Sequence, residues 1–413
     1  MLFAVLHNVT HGQIPLSEIG SRSDSFKGKD KVDRLIGASF NYQEEGTAMS
    51  LEELYQWIGQ VRQIFGELGY WQMLGLALYS YGVVVSRASA ASRVAEHLGE
   101  VGKASTVQKR LERWLGNRRI NWQECCQMWS GFVVRHYVGE RLILLVDETK
   151  LGNNLSVMVV GLAYRGCCIP LAFWCYQEAA WPLGQVALIE QLLGWIAQTL
   201  PEGKVPLLEA DRGIGTSPDL IRVVEKLGWH YLFRVQGQTR FQLPDGTTIT
   251  LKEVVLPGGA WSAQGKAFKK AGWLPAIAHV IWDTPYRQAW CLVTNCSHIS
   301  ARLYANRYWQ EAAFRDLKSD GWQWQKSLVF TPAHANLLLL VLSVAYAFVI
   351  SLGTLAFEEP ALTNHIFNKR LSIFRNGLRL FQRGLVFLNA LFRALTQPFF
   401  VFLDAPPLKT VRP

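Results

Sequence analysis

The chain has 413 residues, long enough for about two to four domains, and half of them are hydrophobic while only 18% are charged. This composition supplies a large core and excludes intrinsic disorder for most of the chain. The net charge of +10 favours a polyanionic partner, of which nucleic acid is the commonest. None of the seven cysteines has C-x-x-C spacing, so we expect reduced, mostly buried thiols in a cytoplasmic protein.

The first part of the chain divides near residue 48. Residues 1–48 contain a polar stretch without helical or strand periodicity, so we expect an irregular extension outside the functional fold. Residues 49–136 have a helical pattern, and 95–115 resemble a helix–turn–helix with glycine at the turn. We predict a helical DNA-binding domain here, with a basic helical bundle as the alternative. Its cations are Arg87, Arg93, Lys103, Lys109, Arg110, Arg113, Arg118 and Arg119.

A strand pattern begins after residue 136. Three apolar runs, at 141–149, 155–164 and 167–176, are followed by a helix, a strand, a helix and a strand up to residue 235. Ser217 and Pro218 mark the start of the second of these helices. A meander followed by crossover units predicts an α/β domain over 137–357, with a β-rich insertion at 237–289. Residues 358–413 are expected to form a C-terminal helical region.

One apolar run, from Asn336 to Phe357, has no charged residue and is long enough to span a bilayer as a helix. The same run suits a central helix that is buried on all sides inside a large α/β domain. Because it stands alone, without basic residues concentrated beside it, we predict the buried helix and no membrane partner. A membrane protein centred on 336–357 is the alternative.

Two aspartates end apolar strands. Asp147 follows LILLV and Asp211 follows VPLLEA, and the carboxyl ends of strands form the rim of a sheet, where ligand sites lie in α/β folds. A single aspartate at such a place is more often a turn or helix-cap residue, but two of them favour a site. Glu209, two residues before Asp211, is either a neighbour of that site or a surface residue.

A third acid, Glu311, lies in a helical segment with Tyr304, Arg307 and Lys318. At 100° per residue these four positions fall within about 60° of one another, on one face of a helix. An acid flanked by an aromatic residue and two cations is unusual, although solvated helices also carry Arg–Glu pairs at this spacing.

The pattern Y-x2-R-x3-E-x6-K, preceded by aspartates in VDETKLG and ADRG, resembles the signature of DDE transposases of insertion-sequence family 4. The resemblance covers residues from about 141 to 322. It implies a ribonuclease H-like fold, in which a mixed five-stranded sheet is flanked by helices. It also implies that Asp147, Asp211 and Glu311 are catalytic and bind metal. Two Mg²⁺ ions are expected, with Mn²⁺ as a substitute, because such hard cations prefer oxygen ligands.

The same resemblance implies a cut-and-paste transposase that cleaves DNA and transfers strands, working as a homodimer on terminal inverted repeats and target DNA in the cytoplasm and nucleoid. Tyr304, Arg307 and Lys318 would contact DNA phosphates, and Arg212 is a further candidate. A flipped base could stack on an aromatic residue of the insertion, for which the candidates are Trp261, Trp273, Trp282 and Trp290. The alternative is a catalytically inactive DNA-binding relative that acts as a repressor or an architectural protein.

Overall fold

The computed structural model describes residues 51–382, except 138, 140, 153–154, 179, 285 and 359–366. The extension at 1–48 therefore lies outside the described residues, as do 359–366 and 383–413 of the C-terminal region. The described chain opens with five helices: α1 (Leu51–Ile64), α2 (Tyr70–Ser86), α3 (Ala91–Glu96), α4 (Ala104–Leu115) and α5 (Trp122–His136).

Strands and helices then follow in the order that the sequence predicts. The first group is β1 (Ile143–Leu151), β2 (Leu155–Tyr164), β3 (Cys167–Gln177), α6 (Gln185–Ala197), β4 (Leu207–Ala210), α7 (Arg212–Gly215), α8 (Pro218–Lys226) and β5 (His230–Arg234). The second is β6 (Arg240–Gln242), β7 (Thr248–Thr250), β8 (Ala260–Ala267), β9 (Leu274–Ile281), β10 (Trp290–Thr294), α9 (Tyr308–Arg315), α10 (Pro332–Glu358) and α11 (Ile373–Gln382). As expected, the Ser217 side chain caps α8 by accepting from the Leu220 amide, and Pro218 opens the helix.

The strands form one mixed sheet in the order β3-β2-β1-β4-β5-β10-β9-β8-β6-β7. β1, β2 and β3 are an antiparallel meander, and β4 and β5 run parallel to β1. These five strands are consistent with a ribonuclease H-like transposase domain. The sheet has more than the five expected strands, however, because β10 pairs antiparallel with β5 and the insertion strands continue from β10. The β-rich insertion thus lengthens the central sheet to ten described strands.

β2 and β3 lie inside the protein along most of their length. Every residue of β2 is buried, and β3 is exposed only at its end, because helices α5, α6, α9 and α10 pack against β3. Their sequences are accordingly continuous apolar runs rather than alternating ones. The helices α1–α5 belong to the same hydrophobic core as the sheet. Six of the seven thiols, all except Cys296, are buried.

Helix α10 contains the long apolar run and is the central helix of this core. It is long and apolar enough to cross a membrane, but its most hydrophobic stretch is 94% buried inside the protein. Its polar side chains have specific partners there. Asn336 accepts from the Cys175 amide at 2.8 Å, and Thr354 lies 3.0 Å from the Tyr164 hydroxyl. The interpretation of the run as a buried helix accounts for these contacts.

In the N-terminal helices, α3 and α4 pack against each other across the short turn Gly99–Val101. α4 buries Val107, Leu111 and Trp114, while Lys109 and Arg113 on its other side are exposed. The paired helices and the exposed cations of the sequence-predicted helix–turn–helix are therefore present.

Two glycines bring α10 and α11 into backbone contact. A β-carbon on Gly353 would overlap the Ile373 carbonyl, and one on Gly377 would overlap the Val349 carbonyl and lie 2.9 Å from the Gly353 nitrogen. Both obstacles are backbone atoms, which cannot rotate away as a flexible side chain can.

Replacing Gly377 by alanine should therefore separate the two helices and lower the free energy of unfolding by about 1–3 kcal/mol. Thermal melting of the purified variant measures the effect. The matched control is Gly194→Ala in α6, where a β-carbon meets nothing within 4 Å and alanine should be neutral or stabilising. A Gly377→Ala protein that melts no lower than this control would contradict the close crossing.

Candidate active site

Asp147 and Asp211 meet at one rim of the sheet. Asp147 lies on β1, and Asp211 directly follows β4, the parallel neighbour of β1. Leu145 is in register with Glu209. Since side chains alternate along a strand, Asp147, Glu209 and Asp211 share one face of the sheet. The two aspartates are close enough for the charge of Asp211 to raise the pKa of Asp147.

Asp147 is a largely buried carboxylate with one cationic partner. Its Oδ2 accepts from Arg307 Nη2 at 2.6 Å, and its Oδ1 accepts from the Glu148 amide at 2.9 Å. Burial raises the pKa of Asp147 to about 6, although Arg307 acts in the opposite direction. The carboxylate therefore lacks part of the stabilisation that water would provide, and a bound cation would supply it.

Asp211 is also a helix cap. Its Oδ1 accepts from the Ile214 amide at 3.1 Å at the start of α7, so the cap interpretation of a strand-end aspartate describes this side chain correctly. The cap fixes the carboxylate at the rim beside Asp147. Arg212 follows on the exposed surface, where its Nη1 lies 3.5 Å from Gln288 Oε1 of the insertion.

The predicted stripe of Tyr304, Arg307, Glu311 and Lys318 runs through three kinds of helix. Tyr304 and Arg307 belong to the 3₁₀ segment Ala301–Arg307, Glu311 to α9, and Lys318 to the π-helical turn Asp316–Asp320. The expectation of one regular helical face is therefore incorrect in its detail. The wide final turn nevertheless directs Lys318 to β1, where its Nζ donates to Thr149 Oγ1 at 2.5 Å.

Arg307 lies between two of the three acids. Besides its contact with Asp147, its Nη1 is 3.8 Å from Glu311 Oε1. The Arg307 side chain is buried, whereas that of Glu311 is 58% exposed. Burial lowers the pKa of Arg307, but the surrounding acids, Asp147 foremost, outweigh it and the net pKa is raised. The guanidinium thus remains charged and holds the acidic site together.

Tyr304 is buried as well, although the resemblance implies that it contacts DNA. Its ring packs edge-on against Trp290 at 5.2 Å, in a cluster with Leu207 and Leu232. Burial raises the pKa of its phenol, which stays neutral. Of the four tryptophans suggested for base stacking, Trp290 is the one that packs on the stripe, while Trp261 packs on Phe241 and the indole NH of Trp282 donates to the Tyr286 carbonyl. Trp273 has a positive φ and follows a short turn.

The donor chemistry of the three acids fits a divalent metal, since Asp147, Asp211 and Glu311 offer hard carboxylate oxygens. Their present arrangement does not yet form a cage. Among the residues that the structure describes, no group of three His, Cys, Asp or Glu is close enough to hold a metal ion. Arg307 lies between Asp147 and Glu311 and contacts both, and the Glu311 side chain is exposed to solvent.

Three residues beside the site were not assigned a role from the sequence. Glu209 is fully buried, which decides between the two interpretations left open for it, and burial raises its pKa well above the usual value. The Thr149 hydroxyl accepts a hydrogen bond from the Lys318 ammonium group. Gln310, also buried, donates from Nε2 to the Val159 carbonyl at 3.1 Å and so fixes α9 on β2. The alternation of side chains along β4, which puts Glu209 on the same face as Asp211, was the one sequence signal for Glu209.

Residues 184–348 match the family model of the transposase DDE domain. This match supports a DDE transposase, with a role in DNA transposition and recombination and with DNA as its partner. The matched span contains Asp211 and all four residues of the stripe, whereas Asp147 lies before it. Transposases of this kind generally use divalent metal ions, which agrees with the donor set. A comparison with curated proteins gave no match.

The turn that carries Lys318 depends on a buried acid. Asp316 accepts from the Tyr346 hydroxyl at 3.3 Å, and its backbone carbonyl accepts from the amides of Gly321 and Trp322. Burial raises the pKa of its carboxyl to about 7, with Arg375 opposing.

An unfolded aspartate titrates near pH 4, so ionisation of Asp316 destabilises the fold progressively between about pH 4 and 7, and the destabilisation is constant at higher pH. Asp316→Asn lacks this charge and still accepts from Tyr346. Its melting temperature relative to wild type should therefore increase from pH 5 to pH 7 and then level off. Melting curves at matched pH values test this, and a pH-independent difference would show that Asp316 does not titrate in this range.

Proposed function

We propose that the chain is a cut-and-paste transposase of the insertion-sequence-4 type, with Asp147, Asp211 and Glu311 as catalytic residues. The observation that carries the proposal is the position of Arg307, which contacts Asp147, approaches Glu311 and interacts with the charge of Asp211. The three acids come from distant parts of the chain and gather around this cation. The match to the transposase DDE domain adds independent support.

In this proposal the three carboxylates are the metal ligands. Asp147, Asp211 and Glu311 would hold the divalent ions, two Mg²⁺ or Mn²⁺ in their place, which when bound would supply activation of the attacking oxygen and stabilisation of the leaving oxygen at phosphorus. Arg307 and Lys318 add positive charge where the phosphate develops negative charge. No nucleophilic side chain is required, because water or a DNA 3′-hydroxyl attacks. One site therefore serves DNA cleavage and strand transfer.

The DNA partner is proposed to be the terminal inverted repeats and then the target DNA. The exposed cations of α4, Lys109 and Arg113, and Arg118 and Arg119 beyond it, form a basic surface suited to DNA. Residues 49–136 are then the DNA-binding domain, 137–357 the catalytic domain with its insertion at 237–289, and 358–413 a C-terminal region. Joining two element ends requires a homodimer on DNA, in the cytoplasm and nucleoid.

If the DNA ends pass through a hairpin, Trp290 is our choice for the residue that stacks a flipped base. It is partly exposed, packs on Tyr304 and lies 6.4 Å from the exposed ring of Tyr286. Arg212, the chain neighbour of Asp211, contacts Gln288 in the same part of the insertion. Stacking there would keep the base beside the scissile phosphate.

Alanine at Asp147, Asp211 or Glu311 should lower metal-dependent cleavage by at least about a thousandfold, because each substitution removes a metal ligand. Binding to the same DNA should remain. The substrate is a duplex with the inverted repeats that flank the gene, and cleavage and gel-shift binding are measured side by side.

Asp219→Ala is the matched control, since Asp219 is an exposed acid on α8 paired with Arg222. It should cleave like the wild type. A fully active triad variant refutes the assignment of that residue. A wild-type protein that binds the repeats but never cleaves them supports the alternative function, an inactive repressor or architectural relative.

Lys318→Ala should weaken DNA binding and reduce the slope of log affinity against log salt by about 1, because one phosphate contact is lost. The measurement is a salt titration of binding by fluorescence anisotropy. Lys226→Ala, which removes an exposed lysine from α8, is the control and should keep the wild-type slope. An unaltered slope for Lys318→Ala means that Lys318 holds Thr149 and contacts no phosphate.

A further inference from the structure

Glu209 is a buried acid that has no role in the proposed chemistry. It is completely buried, and both of its carboxyl oxygens lack a hydrogen bond within the described part of the chain. Its register neighbours are Leu145 on β1 and Leu232 on β5, so it replaces an apolar side chain in the layer beneath the two aspartates. A buried carboxyl without a partner opposes folding. Its presence therefore points to a contact made in another state of the protein.

Arg307 has complementary donors without hydrogen-bond acceptors. Its Nη2 donates to Asp147, whereas its Nη1 has only the longer ion pair with Glu311 Oε1 at 3.8 Å, and neither Nε nor Nη1 has a hydrogen-bond acceptor among the described residues. Arg307 is also the cation that interacts electrostatically with Glu209. Once Nη2 leaves Asp147, Nε and Nη2 present two parallel donors on one edge of the guanidinium, which match the two oxygens of a carboxylate in a bidentate pair. The two groups are thus an acid and a cation that both have unused hydrogen-bonding capacity.

The contact between Arg307 and Asp147 conflicts with metal binding. The same oxygen, Asp147 Oδ2, that accepts from Arg307 at 2.6 Å would have to turn to a cation. A divalent ion and a guanidinium repel each other, so Arg307 must withdraw from this oxygen when the metal arrives. The buried guanidinium then requires another acceptor inside the protein, since it has little access to solvent.

We propose that Glu209 is a positioning residue that receives the Arg307 guanidinium when Asp147 binds metal. This inference rests on the proposed function, because it requires Asp147 to be a metal ligand. Arg307 holds Asp147 in the metal-free protein and Glu209 in the metal-bound protein. The exchange frees Asp147 for the ion, and it keeps the positive charge of Arg307 next to the phosphate. Glu209 itself does not touch the DNA or the metal.

Binding of Mn²⁺ to the full-length protein without DNA tests the exchange, with free Mn²⁺ measured by electron paramagnetic resonance. Glu209→Leu matches its apolar neighbours in shape and removes the acceptor, so it should weaken Mn²⁺ affinity by about 10–100-fold. Glu209→Gln keeps one acceptor oxygen for Arg307 and should bind Mn²⁺ almost as tightly as the wild type. Glu190→Gln, an exposed acid on α6, should leave the affinity unchanged. Circular dichroism and melting confirm that each variant is folded.

Glu209→Leu in an Arg307→Met background identifies why the Mn²⁺ affinity falls. Without Arg307, Glu209 has no guanidinium to bind, so Glu209→Leu should no longer alter the Mn²⁺ affinity. Arg307→Met alone should bind Mn²⁺ more tightly than the wild type, because its competition for Asp147 is gone. If Glu209→Leu weakens binding equally in both backgrounds, Glu209 attracts the metal directly by its charge and the inference is overturned. An unchanged affinity in the wild-type background overturns it as well.

Asp147→Asn separates this inference from the proposed function. If that variant loses Mn²⁺ affinity while Glu209→Leu keeps it, Asp147 is a ligand and only the role of Glu209 is wrong. If Asp147→Asn binds Mn²⁺ as well as the wild type does, Asp147 is not a ligand, and the proposed function and this inference fail together.

Discussion

The ion pair between Arg307 and Asp147 is the contact on which the candidate site depends. It joins a residue from the start of the sheet to one that is 160 positions later in the chain, and through Arg307 it reaches Glu311. Closely placed carboxylates repel one another, and burial makes each harder to keep ionised. One fixed guanidinium offsets both effects. It allows the acids to be gathered before a metal is present, and it also means that metal binding has to compete with an existing partner.

The rest of the fold fixes the two sides of this pair. β1 and β4 lie side by side in the sheet, so Asp147 within β1 and Asp211 directly after β4 are placed by backbone hydrogen bonds rather than by flexible side chains. On the other side, Gln310 ties α9 to β2, and the buried helix α10 supports the turn that carries Lys318 through Tyr346 and Asp316. The apolar run that resembles a membrane span is therefore part of the support for the candidate site.

Much of this arrangement could be predicted from the sequence, because it rests on local signals. The apolar run before Asp211 correctly predicts a strand end, and Ser217 with Pro218 predicts a helix start. The strand end predicted at Asp147 is wrong, because β1 continues to Leu151 in its antiparallel pairing with β2. The rest depends on non-local pairing. Nothing in residues 237–289 indicates that β10 joins β5 and makes one sheet of ten strands, because periodicity gives strands and not their neighbours. Spacing cannot reveal a change from 3₁₀ to π geometry, so the burial of Tyr304 and Arg307 was missed.

The continuity of the sheet has a consequence for how this protein can vary. β10, which follows the insertion directly, closes the open side of β5 with main-chain hydrogen bonds and so covers the edge of the strands that carry the candidate site. Removing residues 237–289 together with β10 would leave β5 as a bare edge, ready to pair with another chain and aggregate. Shortened relatives should therefore keep β10, or replace it with a helix or a charged edge. The far strands of the insertion, β6 and β7, make no such contact with β5.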